Sequence, residues 1–249
     1  MVKVVGVAKD MAADLKSKDL HCVEEVEEEV VRNTAAYSTS SITSMSAFLG
    51  GFIAQELVKY TGKYMPLKQW FHYDVFESLP TGNVDRTPMN CRYDDQIKVY
   101  GREVQEKLGK VNTFMIGAGA LGCEYAKAFA LMGLGCGEGG SVCITDNDNI
   151  EVSNLNRQFL FRKQHVGKSK SECASEAAKV MNPAFNVTAY TNLVHPGTEG
   201  LFNDAFWEGK DFIVNAVDNI KARLYVDSRC VWYEKALLES GTLGTKANQ

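Results

Sequence analysis

The chain has 249 residues, a formal net charge of -4 and 45% hydrophobic residues, enough apolar content for one large or two modest domains with real cores. Its acidic balance and the lack of a basic stripe exclude a general affinity for nucleic acid or for anionic membrane. Seven cysteines without a C-x-x-C pair, in a sequence with no signal peptide and no long apolar span, point to a reducing compartment and to buried, inert thiols.

Residues 1 to about 35 read as charged helix. Val23, Val26 and Val30 fall at helical spacing among Glu24, Glu25, Glu27, Glu28 and Glu29, the pattern of a solvated face rather than an acidic binding surface. A second helix is predicted from Ile42, Met45, Leu49, Phe52, Ile53, Leu57 and Tyr60 on one face, with Gly62 as its stop. Gly50 and Gly51 weaken that helix, so close packing against another element is expected there. Gln69-Trp70-Phe71-His72-Tyr73-Asp74 reads as a strand, and the stretch through Pro80, Gly82 and Pro88 as a connector. One helix and one or two strands cannot bury both faces of a strand, so residues 36–90 look like the end of something larger and the chain like an excised fragment.

From about residue 93 the pattern alternates. Strands are predicted over 111–116, 141–145, 186–190 and 211–215, helices over 123–132, 170–181 and 223–234, and a further strand or loop from Leu237 to Gly241. Asn182-Pro183 ends the middle helix. Short apolar strands without strict alternation predict a parallel sheet covered on both faces.

The first strand runs into Gly117-Ala118-Gly119-Ala120-Leu121-Gly122. Glycines at these spacings permit a tight strand-to-helix turn and close backbone approach to phosphates, and a helix start offers free N–H groups to an anion. Alone the motif is a weak signal, compatible with a glycine turn in any α/β unit. Asp146 follows the apolar run Ser141-Val142-Cys143-Ile144, where an acid can hold ribose hydroxyls, but a dehydrogenase has no use for the Asn154-x-x-Arg157-Gln158 run beyond it. His21, His72, His165 and His195 are scattered without partners at metal-ligand spacing and receive no role.

The glycine loop, Thr145-Asp146-Asn147-Asp148, Ser153-Asn154-Leu155-Asn156-Arg157-Gln158-Phe159-Leu160-Phe161, Val166-Gly167-Lys168-Ser169-Lys170, Asn215-Ala216-Val217-Asp218-Asn219 and Leu238-Glu239-Ser240-Gly241-Thr242-Leu243-Gly244-Thr245-Lys246 together resemble the ubiquitin-activating enzymes. The Asn-x-x-Arg-Gln core is shared with the molybdopterin and thiamine sulfur-carrier activators. The resemblance implies an α/β fold, a Rossmann-like, mostly parallel sheet with helices on both faces, preceded by helical and strand elements from the end of an inactive adenylation repeat. It assigns residues 1–35 to the end of a four-helix bundle, 36–92 to the C-terminal part of the inactive adenylation domain, and 93–249 to the N-terminal half of the active, ATP-binding one.

It further implies attack of a ubiquitin C-terminal carboxylate on the ATP α-phosphate, giving an acyl-adenylate and pyrophosphate. Gly117, Gly119, Ala120 and Gly122 would then lie against the nucleotide, and Asp146 would hold the ribose. Asn154 and Gln158 would orient phosphate or carboxylate, while Arg157 and Lys170 would neutralise phosphoryl charge. Asp148 and Asp218 would hold magnesium, with Asn219 beside Asp218 at the nucleotide. Arg157, Lys170 and Asp218 are the expected catalytic set. Each has a bland alternative: Asp146 capping a turn, Arg157 pairing with Glu151, Lys168 and Lys170 belonging to a solvated helix start.

The expected partners are ubiquitin or a ubiquitin-like protein and, through regions absent here, ubiquitin-conjugating enzymes, with neither nucleic acid nor membrane; the expected location is cytoplasmic and nuclear. Arg92-Tyr93-Asp94-Asp95-Gln96 places Asp95 where related active dimers carry a second arginine, so no arginine finger is expected from this segment. No cysteine lies in the sequence context expected of the family's thioester acceptor. The competing readings are activation of another modifier, an NAD-dependent oxidoreductase and a silent adenylation repeat acting as a scaffold. The oxidoreductase leaves Arg157, Lys170 and Asp218 unexplained.

Overall fold

The computed structural model describes residues 2–243 and 246–248, so Gly244 and Thr245 of the last matching segment lie outside the described residues. The chain divides into two units, residues 1–103 and 104–249.

In the first unit α1 (Val2–Ser17) packs on α2 (Glu28–Tyr37). Val23 and Val26 fall outside the helix their spacing predicts: α2 begins only at Glu28, and Val23 is exposed in the connection. α3 (Thr43–Lys59) matches the predicted second helix. A Cβ added at Gly50 or Gly51 would meet nothing within 4 Å, so the expected close packing is not present. The strand expected at residues 69–74 does not form either. A ladder needs a neighbouring strand, and none is present for this segment among the described residues. Its alternate aromatic rings instead lie on α3, Phe71 stacked on Phe52 with centroids 4.3 Å apart and Tyr73 on Phe48 at 4.0 Å. α4 (Asp94–Tyr100) follows, and α5 (Arg102–Lys110) spans the division between the units.

The second unit is the predicted α/β sheet. Its elements are β1 (Asn112–Ile116), α6 (Ala120–Met132), β2 (Ser141–Thr145), α7 (Lys170–Met181), β3 (Val187–Tyr190), α8 (Asp204–Glu208), β4 (Phe212–Asn215), α9 (Ile220–Trp232) and β5 (Ala236–Glu239). The strands run parallel in the order β3-β2-β1-β4-β5. A short antiparallel pair, β6 (Gly241–Leu243) and β7 (Lys246–Asn248), follows.

Alternation along each strand feeds two separate cores, because successive side chains leave on opposite faces. Met115, Val142, Ile144 and Val214 pack with Cys123, Ala126 and Phe129 of α6 and Ala174 and Ala178 of α7. Phe114, Ile116, Cys143 and Ile213 pack on the other face with Phe202, Trp207, Val226 and Cys230. Both faces are therefore apolar, which is why the strands read as continuous hydrophobic runs. The order reverses direction between β1 and β4, so the loops leaving their carboxyl ends diverge and open a crevice, the usual ligand position in sheets of this type. No helix among the described residues is long and apolar enough to cross a membrane.

Candidate functional site at the carboxyl edge of the sheet

The loop after β1 occupies that crevice. Gly117 has φ +101°, and a Cβ there would stand 2.5 Å from the Ala216 carbonyl oxygen, which comes from the loop after β4. A Cβ at Gly122, in the first turn of α6, would stand 2.2 Å from the Gly117 carbonyl oxygen. These two glycines are demanded by the fold itself. Gly119 differs: it is the residue before α6, has an ordinary φ of -73°, and its added Cβ would meet only Gln158 Nε2 at 3.9 Å. The space above Gly119 is open, and Ala120 begins the helix beside it with no side-chain cap over the free N–H groups.

Asp146, at the end of β2, is bonded through both carboxylate oxygens: Oδ2 accepts from Ala118 N–H at 2.7 Å and Oδ1 from Asp148 N–H at 2.8 Å. Burial pushes its pKa up, opposed by those two donors and by the nearby Lys170 ammonium. Asp146 thus caps a turn and fastens the glycine loop to the next strand. Lys170, the first residue of α7, is buried, and its Nζ lies 2.7 Å from Asp148 Oδ2. Asp148 remains exposed to solvent. The alternative of a solvated lysine at a helix start therefore fails for Lys170.

The segment after β2 contributes the rest. Asn154 is buried, and its Oδ1 accepts from the Glu151 N–H at 2.9 Å. Arg157 is exposed and donates through Nη1 to the Ser153 carbonyl and to Asn156 Oδ1, each at 3.1 Å, rather than pairing with Glu151. Gln158 is 4% exposed, and its Oε1 has no hydrogen-bond partner. A buried polar atom without a partner is uncommon, and this one belongs to the side chain facing the open position at Gly119.

Asp218 and Asn219 lie on the loop after β4. Asn219 caps α9, its Oδ1 accepting from Ala222 N–H at 2.8 Å. Asp218 is exposed at the rim of a pocket of about 320 Å³ shared with Ile220, Arg223, Glu239 and Thr242. Among the described residues no group of three or more acidic, histidine or cysteine side chains is assembled to hold a metal. The two expected magnesium ligands stand apart in their engagements, Asp148 with Lys170 and Asp218 at the pocket.

A brace went unassigned in the sequence. Asn215, fully buried, donates through Nδ2 to Glu239 Oε2 at 2.7 Å, Arg223 Nη1 lies 3.0 Å from Glu239 Oε1, and Arg223 Nη2 donates to the Val217 carbonyl at 2.8 Å. It ties the ends of β4 and β5 to the residue preceding Asp218. Asn215 and Glu239 sit inside the matching segments, the one signal that could have marked them.

Cys123, Cys143, Cys173 and Cys230 are buried, as expected. Burial pushes the thiol of Cys123 up to about 12 and that of Cys230 to about 11. Cys91 is exposed and departs from that expectation.

Residues 93–249 match the ThiF family model. The chain is 51% identical over 231 residues to a ubiquitin-activating enzyme E1 1 of Schizosaccharomyces pombe, covering 90% of this chain and 23% of that protein. It is 49% identical over 229 residues to the Homo sapiens ubiquitin-like modifier-activating enzyme 1, covering 90% and 22% respectively. The chain thus spans less than a quarter of the length of these curated relatives. Among solved structures, the Escherichia coli tRNA N6-threonylcarbamoyladenosine dehydratase TcdA in complex with ATP is similar with a TM-score of 0.56 and 23% identity, over 63% of this chain and 61% of that one. Escherichia coli MccB with succinimide follows at 0.53 and 25%, over 62% and 45%.

Proposed function

Because the chain belongs to the ThiF family, we propose that it carries the nucleotide-binding half of an ATP- and magnesium-dependent adenylating site, which in the complete protein activates the C-terminus of ubiquitin or a ubiquitin-like protein. In this reading residues 93–249 are the first half of the active adenylation domain, 36–92 the end of an inactive one and 1–35 the end of a helical bundle. The observation that carries it is the pairing of an open glycine position with an incompletely satisfied amide: Gly119 leaves room for a ligand, Gln158 Nε2 borders that room 3.9 Å from an added Cβ, and Oε1 of the same buried amide lacks a partner. Rotation of the amide presents its NH2 group to a phosphate oxygen or its carbonyl to a hydroxyl.

The remaining residues fit the same ligand. Lys170 is buried, held by an exposed acid, and so places a positive charge at the crevice with little reorganisation to come. Asp146 has its two inner acceptor positions filled by backbone N–H groups, and a carboxylate offers about four in all, leaving capacity for ribose hydroxyls. Asp148 and Asp218 supply hard oxygen ligands suited to magnesium, whose part is to neutralise phosphate charge when bound. Arg157 would turn from its local carbonyl contact toward the phosphates. The sequence similarity to the Schizosaccharomyces pombe and Homo sapiens proteins supports the choice of modifier class.

Calorimetry on the chain tests the nucleotide half: weak magnesium-dependent ATP binding with no NAD binding is expected, and tight NAD binding without ATP binding would overturn the proposal. Pyrophosphate exchange by the complete parent, run with a panel of modifiers, tests the substrate.

A further inference from the structure

On the face of the sheet turned away from α6 and α7, Lys210 reaches into the aromatic core around Phe114, Phe202 and Trp207. Lys210 is 9% exposed and Cys143, in the middle of β2, is 6% exposed. Lys210 Nζ donates to Cys143 Sγ at 3.3 Å and sits 4.5 Å from the centre of the Phe206 ring. An amine is an expensive group to bury, and a thiol is a weak acceptor for it. The contact joins residues of distant sequence position on two structural elements, and neither residue belongs to the nucleotide crevice.

The arrangement sets a nucleophilic nitrogen against a sulfur that can be oxidised. From it we infer that Cys143 and Lys210 are a modification site, at which a peroxide produces a reversible sulfur–nitrogen cross-link. In the first step hydrogen peroxide transfers one oxygen to Sγ: the O–O bond breaks, the thiol becomes a sulfenic acid and one water leaves. In the second, Lys210 gives a proton to solvent and its nitrogen lone pair attacks Sγ; the S–N bond forms, the S–O bond breaks, and the departing hydroxide takes a further proton from nitrogen to leave as a second water. Thiol, amine and one peroxide thus give the linked pair and two waters, with sulfur oxidised and peroxide reduced. Packing holds the sulfenic acid next to the amine, 3.3 Å from Sγ, which favours condensation with nitrogen. A thiol reductant reopens the bond and restores both side chains. The product would staple β2 to the turn between α8 and β4.

The folded chain is treated with hydrogen peroxide, remaining thiols are blocked with N-ethylmaleimide, and the digest is mapped by mass spectrometry. The expected product is a linked pair of peptides, one containing Cys143 and the other uncleaved at Lys210, lighter by two hydrogens than their sum and released by dithiothreitol. Lys210→Arg retains the charge and a donor but not the amine, so it should lose the linked peptide completely while Cys143 stops at sulfenic or higher acids. Lys210→Met, a buried apolar replacement of similar length, should do the same, and near-native circular dichroism of either variant suffices to separate chemistry from misfolding. Persistence of the linked mass in the arginine variant would overturn the proposal. So would a wild-type map in which Cys143 stays a free thiol or carries only oxygen additions while exposed Cys91 is oxidised.

Discussion

Two glycines three positions apart should respond to the same substitution in opposite ways. At Gly122 an added Cβ stands 2.2 Å from the Gly117 carbonyl oxygen, a backbone atom that cannot rotate away. Overpacking typically costs about 1–3 kcal/mol, and a fixed backbone obstacle places Gly122→Ala near the upper end. Alanine recovers about 1 kcal/mol of helix propensity, leaving a net loss of about 2 kcal/mol. For a domain of this size that lowers Tm by roughly 4–8 °C. At Gly119 the added Cβ meets only Gln158 Nε2 at 3.9 Å, and the backbone φ of -73° suits alanine. Gly119→Ala should therefore leave Tm within about 1 °C, a shift of well under 0.5 kcal/mol, while blocking the approach of a phosphate to the loop. Thermal unfolding by circular dichroism and calorimetry with ATP and magnesium measure both effects on the same samples. An unchanged Tm for Gly122→Ala would refute the packing argument. Undiminished ATP binding by Gly119→Ala would remove the loop from the nucleotide site.

In the complete parent protein, Arg157→Ala, Lys170→Ala and Asp218→Ala should each slow pyrophosphate exchange by about a hundredfold, since one preorganised charge contact is worth on the order of 3 kcal/mol in the transition state; parental rates would void the assignment. The raised pKa of Asp146 means the folded state holds its proton more tightly than the unfolded chain, so its contribution to stability falls as pH rises from the ordinary value of 3.8 through the higher folded value. Urea unfolding at stepped pH should accordingly show the wild type losing ground to Asp146→Ala across that window, and a gain instead would reverse the sign of the shift. Phe114, fully buried against Phe202, Phe206 and Trp207, should cost about 3–5 kcal/mol when cut to alanine, read as a lower urea midpoint; a loss below about 1 kcal/mol would mean the aromatic cluster repacks freely.

The sheet was readable where boundaries carry chemistry. The predicted strand 141–145 and helix 170–181 coincide with β2 and α7, because glycines and an acid bracket the first while Ser169 and Asn182-Pro183 bracket the second. Where a cap was not weighed, the start moved: α9 begins at Ile220 rather than Arg223 because Asn219 caps it, and α6 begins at Ala120 directly after Gly119. The segment 69–74 failed for a different reason. Alternating aromatic residues satisfy the period of a strand, but a strand is a relation between two segments, and α3 offers rings rather than a hydrogen-bonded edge. Periodicity reports which side chains share a face and says nothing of what covers it.

The candidate site divides along a similar line. The glycine spacing was readable because backbone geometry acts locally, whereas the partners of Asp146, Asn154 and Lys170 depend on how loops from separate strands fold over one another. Asp146 shows why the bland and functional readings need not compete. Fastening Ala118 and Asp148 uses one acceptor position on each of its oxygens, so the bonds that hold the loop also fix the direction of the remaining lone pairs. A residue assigned to the ribose and a residue assigned to a turn are then the same carboxylate, and its rigidity follows from the structural bonds. Lys170 carries the argument one step further: its ammonium is anchored by Asp148, whose exposed carboxylate is itself an expected metal ligand. Asp148 would hold magnesium through its exposed carboxylate while keeping Lys170 in place, so the charge a bound cation supplies and the charge of Lys170 would meet the nucleotide at one shared acid.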